Sequence, residues 1–497
     1  MISEIVLTIL LIGLIIKAVK RPHNFPPGPR GLPLVGYLPF LSSWDPQYPH
    51  RALQKMSKVY GPVTGFYLGP STMISVCSHE AVKEVMLNEN LNGRPHSSIT
   101  LARNFGENLG IMFIMGQFWQ EQRRFTMRHL RDLGFGKTSI EDQMMGEVGD
   151  LIKDIENKSQ LDKDRVVDLK GIFQVSVVNI LWAIIAGERF RRDDPKFQEL
   201  LTANEQVFRA GDPVRGNIPV PAFILKHSRL VREFIGVKSE MTEPIKKFIQ
   251  STIDDHQLSN RSVDEARDFI DFYLNEMKKQ KAENPFTTFT NNQLVATITD
   301  LFGAGAESTS GSIGFAMIHL IRNQEVQRKM QAELDQVCGE YVPTLNHRSS
   351  LPYTEAVLME AQRCSTIAPF VVPHFAVKET KLQGYTIPKG SIVMLNLDAV
   401  LMDDGYWKEP EVFRPERHLN EDGTKVIKSD HFYPFGIGKR MCLGDSLAKN
   451  TYFLFTAALI KKFRFEPVQN EPLPSLDPIN GFTVGYSGFK AVVVPRS

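Results

Sequence analysis

The chain has 497 residues, 42% of them hydrophobic and 23% charged, which is enough apolar sequence for a large buried core and excludes a disordered chain. Its 58 basic and 56 acidic residues leave a formal charge of +2, so no global field draws it to nucleic acid and any basic surface must be local. Cys77, Cys338, Cys364 and Cys442 lie far apart with no C-x-x-C pair among them; this excludes a disulfide framework and predicts a reducing compartment for the folded body.

Residues 5–16 are uncharged and nearly all apolar, and Lys17, Lys20 and Arg21 follow them. Counted from Met1 the run makes roughly 24 Å of helix, a little short of a comfortable membrane span. No small-residue cleavage site follows, and the basic residues put the C-terminal side in the cytosol, so residues 1–21 are predicted to be an uncleaved membrane anchor. Pro22, Pro26, Pro27, Pro29 and Pro33, with Gly28 and Gly31, make residues 22–45 a stiff extended hinge. Residues 46–497 are then one large domain. Val63–Leu68 and 73–77, around Gly69-Pro70-Ser71-Thr72, predict a β-hairpin; 381–395 predicts a second, with Gln383-Gly384 and Pro388-Lys389-Gly390 as its turns. Most other periodic segments read as helix.

Trp119 and Arg123 stand four apart, on one face of a predicted helix. Core packing of the tryptophan beside a surface arginine is the ordinary reading of that spacing. Arg124, Arg128, Arg131 and Lys137, with Lys439 and Lys449, are a candidate basic face for an acidic partner, or simply solvated helix surface. Thr290-Asn291-Asn292-Gln293 has the form of a capping box, after which an apolar pattern continues to about Arg322. Gly303, Gly305, Gly311 and Gly314 interrupt this helix, each at up to about 1 kcal/mol relative to alanine, so close packing or local unwinding should compensate. Asp300, Glu307, Ser308 and Thr309 share the same apolar stretch; back-bonding to the previous turn is the ordinary role for such hydroxyls. Glu360 and Arg363 lie three apart on a further helix, upstream of Pro415-Glu416-Arg417, and two such pairs on a surface would contribute little.

Near the C-terminus, Phe435, Gly438, Cys442 and Gly444 fill every fixed position of F-x-x-G-x-x-x-C-x-G, directly before a helical run over 447–460. Gly436, Gly438 and Gly444 are costly unless backbone must turn sharply or approach a flat partner. Donor N–H groups and the positive end of the following helix should favour a thiolate at Cys442. A thiolate held in this way can be an axial ligand of haem iron.

With W-x-x-x-R, A-G-x-E-S, E-x-x-R, P-E-R and this cysteine frame in one order along nearly the whole chain, the sequence resembles the cytochrome P-450 family of microsomal type. The resemblance implies an α+β fold, predominantly α-helical, with a small β-rich lobe and haem b (iron protoporphyrin IX) between the long helix and the cysteine loop. It implies Cys442 as the metal ligand, framed by Phe435, Gly438 and Gly444, and Trp119, Arg123, His374 and Arg440 as partners of the haem propionates. Ala304-Gly305-Ala306-Glu307-Ser308 is similar to A-G-x-E-T, which implies proton relay to dioxygen by Glu307 with Ser308 or Thr309. Serine in place of threonine keeps the hydroxyl but loses the methyl that restricts its rotamer. Glu360, Arg363 and Arg417 are implied to form a buried network behind the haem, with His418 where phenylalanine is usual. The implied activity is insertion of one oxygen atom from O2 into a C–H or C=C bond. NADPH electrons would arrive through a reductase, cytochrome b5 being an optional second donor, at the endoplasmic reticulum membrane with the body facing the cytosol.

Ile111, Phe113, Phe302, Ala306, Ile367, Val371, Val372 and Thr483 are the expected pocket lining, nearly all apolar, which points to a lipophilic substrate. Residues 211–225, with Pro213, Pro219 and Pro221 among Val214, Ile218, Val220 and Phe223, read as a membrane-dipping entrance or as an ordinary packed loop. Residues 119–136 are similar to arthropod microsomal members, among them the epoxidases of juvenile-hormone synthesis, which implies epoxidation of a farnesoate-type sesquiterpenoid. If the acid rather than the ester is the substrate, a pocket cation such as Arg103 should bind it. Steroid or xenobiotic hydroxylation by the same machinery is one alternative; a haem-thiolate isomerase or a non-catalytic haem or lipid-binding protein is another.

Overall fold

The computed structural model describes residues 21–97, 101, 103–135, 140–218, 220, 224, 227–234, 239–259 and 261–496. The helices that build the body are α1 (Pro49–Tyr60), α2 (His79–Leu87), α3 (Gly116–Asp132), α4 (Glu141–Leu161), α5 (Gln174–Ala186), α6 (Pro195–Ala210), α7 (Ser239–Ser259), α8 (Phe269–Glu283), α9 (Asn291–Arg322), α10 (Gln324–Cys338), α11 (Pro352–Cys364) and α12 (Asp445–Lys462). The axis of the arrangement is α9, whose apolar residues are buried on nearly every side. It packs against α5, α6, α7, α11 and α12, and together they form the largest core cluster.

Thr290 caps α9 by accepting a hydrogen bond from the backbone N–H of Gln293 at 3.2 Å. The reciprocal half of the expected capping box is absent, because the Gln293 amide is committed elsewhere: its Oε1 accepts from Gly110 N–H and its Nε2 donates to Gly110 O. The glycines of α9 are compensated by packing rather than unwinding, since the helix is continuous from 291 to 322. A Cβ on Gly305 would lie 2.5 Å from Leu181 Cδ2, and one on Gly314 would lie 2.1 Å from the Tyr486 ring. Gly314→Ala should therefore destabilise the fold by about 1–3 kcal/mol through overpacking. Thermal unfolding should show the loss, and Tyr486→Ala in the same chain should recover part of it.

The β-rich lobe is a four-stranded sheet in the order β1-β2-β7-β4, formed by β1 (Val63–Leu68), β2 (Ser71–Val76), β7 (Ile392–Leu395) and β4 (His374–Phe375). The first hairpin forms as expected but with a tighter turn, Gly69-Pro70, so that Ser71 pairs with Leu68. The second expected hairpin is shorter. β5 (Thr380–Leu382) and β6 (Tyr385–Ile387) close around Gln383-Gly384, both at positive φ. The turn at Pro388-Lys389-Gly390 then hands the chain to β7, which runs parallel to β2 and antiparallel to β4. A small sheet of β3 (Val166–Asp168), β9 (Lys490–Pro495) and β8 (Phe463–Glu466) ties the C-terminus to α4.

The proline-rich segment 22–45 lies along β1: Gly65 N–H bonds Pro27 O at 2.8 Å, and Tyr37 N–H bonds Tyr67 O at 2.7 Å. Residues 1–20, most of the expected anchor, lie outside the described residues, as do Pro219, Pro221 and Phe223 of the expected entrance loop. Among the described residues no helix is long and apolar enough to cross a membrane.

Candidate active site

Between β7 and α12 the chain makes the cysteine loop. Cys442 N–H bonds Phe435 O at 2.9 Å, which closes a turn through Gly436 (φ +70°) and Gly438 (φ +74°). At Gly438 a Cβ would also lie 2.6 Å from the Met86 carbonyl, so the loop seats against α2 only without a side chain there. Gly438→Ala is expected to lower cofactor retention, measured as haem per polypeptide after purification. Cys442 Sγ opens into a cavity rather than into the core. Burial pushes its thiol above the usual range, and the Gly444 N–H, Arg123 and Lys449 oppose that shift without overcoming it. A metal cation bound to the sulfur is what deprotonates such a ligand.

Three guanidinium groups converge beside this loop. Arg94, Arg123 and Arg440 all line the cavity together with Trp119 and His374, and Arg440 stacks over the Trp119 ring at 3.8 Å. Among the described residues their bonds go only to backbone carbonyls: Arg94 to Met112 and Pro373, Arg123 to Met441, Arg440 to Asn92 and Ile114. Burial, followed by the neighbouring Arg123, lowers Arg440 to about 9. Arg94, buried, is lowered by desolvation and then by Arg440 and Arg123. Arg94 is buried and Arg123 and Arg440 are half-buried, and cations drawn together out of water without a carboxylate are costly unless an anion joins them. His374, placed by the pairing of β4 with β7, bonds Leu91 O through Nδ1 at 2.8 Å. Burial and then Arg94 keep it neutral.

This donor set fits haem: a sulfur ligand on one side and a cluster of cations for two propionates at the edge. Sequence reasoning brought Trp119, Arg123, His374 and Arg440 to this place but missed Arg94. Its only signal was an arginine between Gly93 and Pro95.

The cavity encloses about 350 Å³. Ile111, Ile367, Val371, Val372 and Thr483 line it, and so do Ser308 and Thr309. Phe302, Ala306 and Phe113 do not. Phe302 packs edge-on to Trp182 with ring centroids 5.9 Å apart, and Ala306 is fully buried in the core. Phe113 turns aside to pack near Phe482 at 6.2 Å. The wall of α9 is Leu301, Ala304, Gly305, Ser308, Thr309 and Ser312, and Phe302 and Ala306 lie beyond the Thr309 edge of that stripe, turned into the core. Val177, Ile180 and Leu181 of α5 also line the cavity. An evenly apolar helix offered no face that would have marked them.

The polar residues of α9 divide between wall and core. Ser308 Oγ donates to Ala304 O at 2.7 Å and Ser312 Oγ to Ser308 O at 2.9 Å. Glu307 does not line the cavity. It is buried and paired with Arg209 (Oε2 to Nη2, 2.9 Å), and accepts from Gln174 at 3.3 Å. Burial raises its carboxyl, with Arg209 opposing. Arg103 is also engaged elsewhere, against the role considered for it. It pairs with buried Asp300 at 3.2 Å, and Asp300 Oδ2 accepts from the N–H groups of Ile111 (2.8 Å) and Met112 (2.9 Å). Two α9 side chains, Gln293 and Asp300, thus hold the loop that forms one cavity wall.

Behind the cysteine loop, Glu360 accepts from Arg363 Nε and Nη2 at 2.8 and 2.9 Å and from Arg417 Nε at 2.9 Å. His418 Nε2 lies 2.9 Å from the second carboxylate oxygen. The histidine that stands where phenylalanine is usual is therefore a fourth member of the network. On the other side of Cys442, Arg124, Arg131 and Lys439 border a hollow of about 540 Å³ with Met127 and Met441. Lys449 pairs with Asp445 at 2.7 Å and Arg128 is exposed; Lys137 lies outside the described residues.

A family profile described as cytochrome P-450 matches residues 26–492. The chain is 33% identical over 502 residues to a farnesoate epoxidase of Bombyx mori, covering 100% of this chain and 99% of that protein. It is 36% identical over 485 residues to cytochrome P-450 2J3 of Rattus norvegicus (96% and 92% covered), and 33% identical over 501 residues to cytochrome P-450 18a1 of Drosophila melanogaster (98% and 90% covered). A mostly helical α+β body whose cavity is framed by a cysteine loop and three arginines suits a haem protein, and the chain belongs to the cytochrome P-450 family. It is a monooxygenase, with haem b as its cofactor and electrons from a reductase partner.

Proposed function

We propose that this monooxygenase epoxidises a farnesoate-type sesquiterpenoid, a step of juvenile-hormone synthesis. The observation that carries the reading is the full-length match to a farnesoate epoxidase. A predominantly apolar cavity wall supports it, because such a wall suits a flexible isoprenoid chain. Haem, once bound, supplies the activation of dioxygen with electrons from its reductase. The rest belongs to this chain. Cys442 binds the metal; Phe435, Gly438 and Gly444 shape its loop. Trp119, Arg94, Arg123, His374 and Arg440 orient the cofactor by its propionates, and the Glu360, Arg363, Arg417 and His418 network keeps the loop behind it rigid. Ser308 and Thr309 hold a proton at their hydroxyls on the cavity wall, and Glu307, kept in the core by Arg209, is the acid behind them. Ile111, Ile367, Val371 and Val372 exclude water around the substrate.

NADPH-cytochrome reductase, with cytochrome b5 as a second donor, docks on the face bearing Arg124, Arg131 and Lys439, where positive charge speeds the encounter with an acidic protein. Residues 1–21 anchor the chain in the endoplasmic reticulum membrane. Incubation of the holoenzyme with reductase, NADPH, farnesoic acid and methyl farnesoate should yield an epoxide from one of them. No epoxide from either would retire the sesquiterpenoid reading. Hydroxylation of a steroid or xenobiotic would then be sought by a spectral screen of ligand binding.

A further inference from the structure

The charges around the cavity are unevenly placed. Arg94, Arg123 and Arg440 are the lining residues that carry charge among the described residues, and no carboxylate lines it. All three belong to the group that fits the haem propionates. The charged side chains behind the remaining wall are neutralised in pairs before they reach it, Arg103 by Asp300 and Arg209 by Glu307. An anionic substrate would therefore lose its water and gain no cation.

Among the described residues, one fully buried side-chain polar atom on this wall has no hydrogen-bond partner. Thr483 lines the cavity with only 9% of its surface exposed, and its Oγ1 makes no hydrogen bond. The backbone around it is fixed on three sides: Arg209 Nη1 donates to Thr483 O at 2.7 Å, Val484 N–H to Ile367 O at 2.9 Å, and Phe482 N–H to Phe208 O at 2.8 Å. Rotation about Cα–Cβ remains free to turn the hydroxyl toward the cavity. A buried hydroxyl left without a partner is unfavourable, and an acceptor on a bound molecule would relieve it.

We propose that Thr483 anchors an uncharged hydrogen-bond acceptor on the substrate, an ester or ketone oxygen, and that the cavity rejects the corresponding free carboxylate. The inference deepens the proposed function and rests on its reading of this cavity as the substrate site. It can nevertheless fail or stand independently of the sesquiterpenoid assignment.

The test measures dissociation constants of the haem-loaded enzyme by spectral titration and by equilibrium dialysis. The ligands are methyl farnesoate, farnesoic acid, methyl laurate, lauric acid and the hydrocarbon farnesene. At about pH 8 each ester should bind at least about 10-fold more tightly than its acid. The gap should narrow toward about pH 5, where the acids become neutral. Thr483→Val should weaken the esters about 3- to 10-fold and leave farnesene unchanged, with Thr483→Ser restoring the esters. Equal or tighter binding of the acids at the higher pH, or esters that bind Thr483→Val as well as the unaltered enzyme, would overturn the inference. If neither farnesoate binds while the laurate pair is discriminated, the inference holds and the sesquiterpenoid assignment falls.

Discussion

Cys442→Ala should give a folded protein that has lost the carbon monoxide difference band of a haem-thiolate, whereas Cys77→Ser, Cys338→Ser and Cys364→Ala should each retain it. The contrast follows from where the four sulfurs sit. Cys442 alone lines the cavity. Cys77 is buried beside Ser75 and Leu53 O, and Cys338 is buried at the end of α10. Cys364 accepts from Arg363 at 2.9 Å, and burial pushes its thiol up to about 12, so it is held as an inert structural thiol. A band that survived in Cys442→Ala, or that vanished with any of the other three, would contradict the assignment.

The second large effect is expected at Glu360. Its carboxylate and the Arg363 guanidinium are both fully buried. Burial alone would raise its pKa, but hydrogen bonds from Arg363 and then His418 bring it down to about 2, from an ordinary 4.5. Because the folded value is the lower one, the network contributes its full stability above the ordinary carboxyl value and loses it as pH falls toward about 2. Glu360→Gln leaves two arginines buried without their anion, a loss on the order of 3–5 kcal/mol. That is a large share of the roughly 5–15 kcal/mol that holds a typical domain together. The variant should shed haem and unfold early. The unaltered protein should lose its Soret absorbance in the acid range through a step absent from Glu360→Gln, and equal melting temperatures for the two would refute the account.

Much of this was legible in the sequence because the relevant spacings are local. Phe435 to Gly444 and Trp119 with Arg123 report their function within ten residues. α9 was readable from Thr290 to Arg322, and the middle of its wall could have been read as well: once Ser308 is placed on the cavity, steps of three and four give Leu301, Ala304, Gly305 and Ser312. The same steps from Thr309 reach Ala306 and Phe302, so packing in the core, with Phe302 against Trp182, sets the edge of the stripe. Other features depended on tertiary partners. Arg94 has meaning only beside Arg123 and Arg440. Gln293 looked like half of a capping box because nothing local reveals that Gly110 competes for its amide. Arg103 looked free for a substrate because Asp300 lies nearly two hundred residues away. Pro388 to Gly390 looked like a hairpin turn because sequence does not record which sheet the next strand joins.

The strand exchange at that turn also bears on how the protein is made. β2 is complete within the first 76 residues, yet it waits for β7, more than three hundred positions later, before His374 can be brought to its place; the sulfur ligand emerges later still, followed by α12. Such distant pairings form slowly. During translation the pocket for the porphyrin therefore stays incomplete until Cys442 and the helix after it have been made.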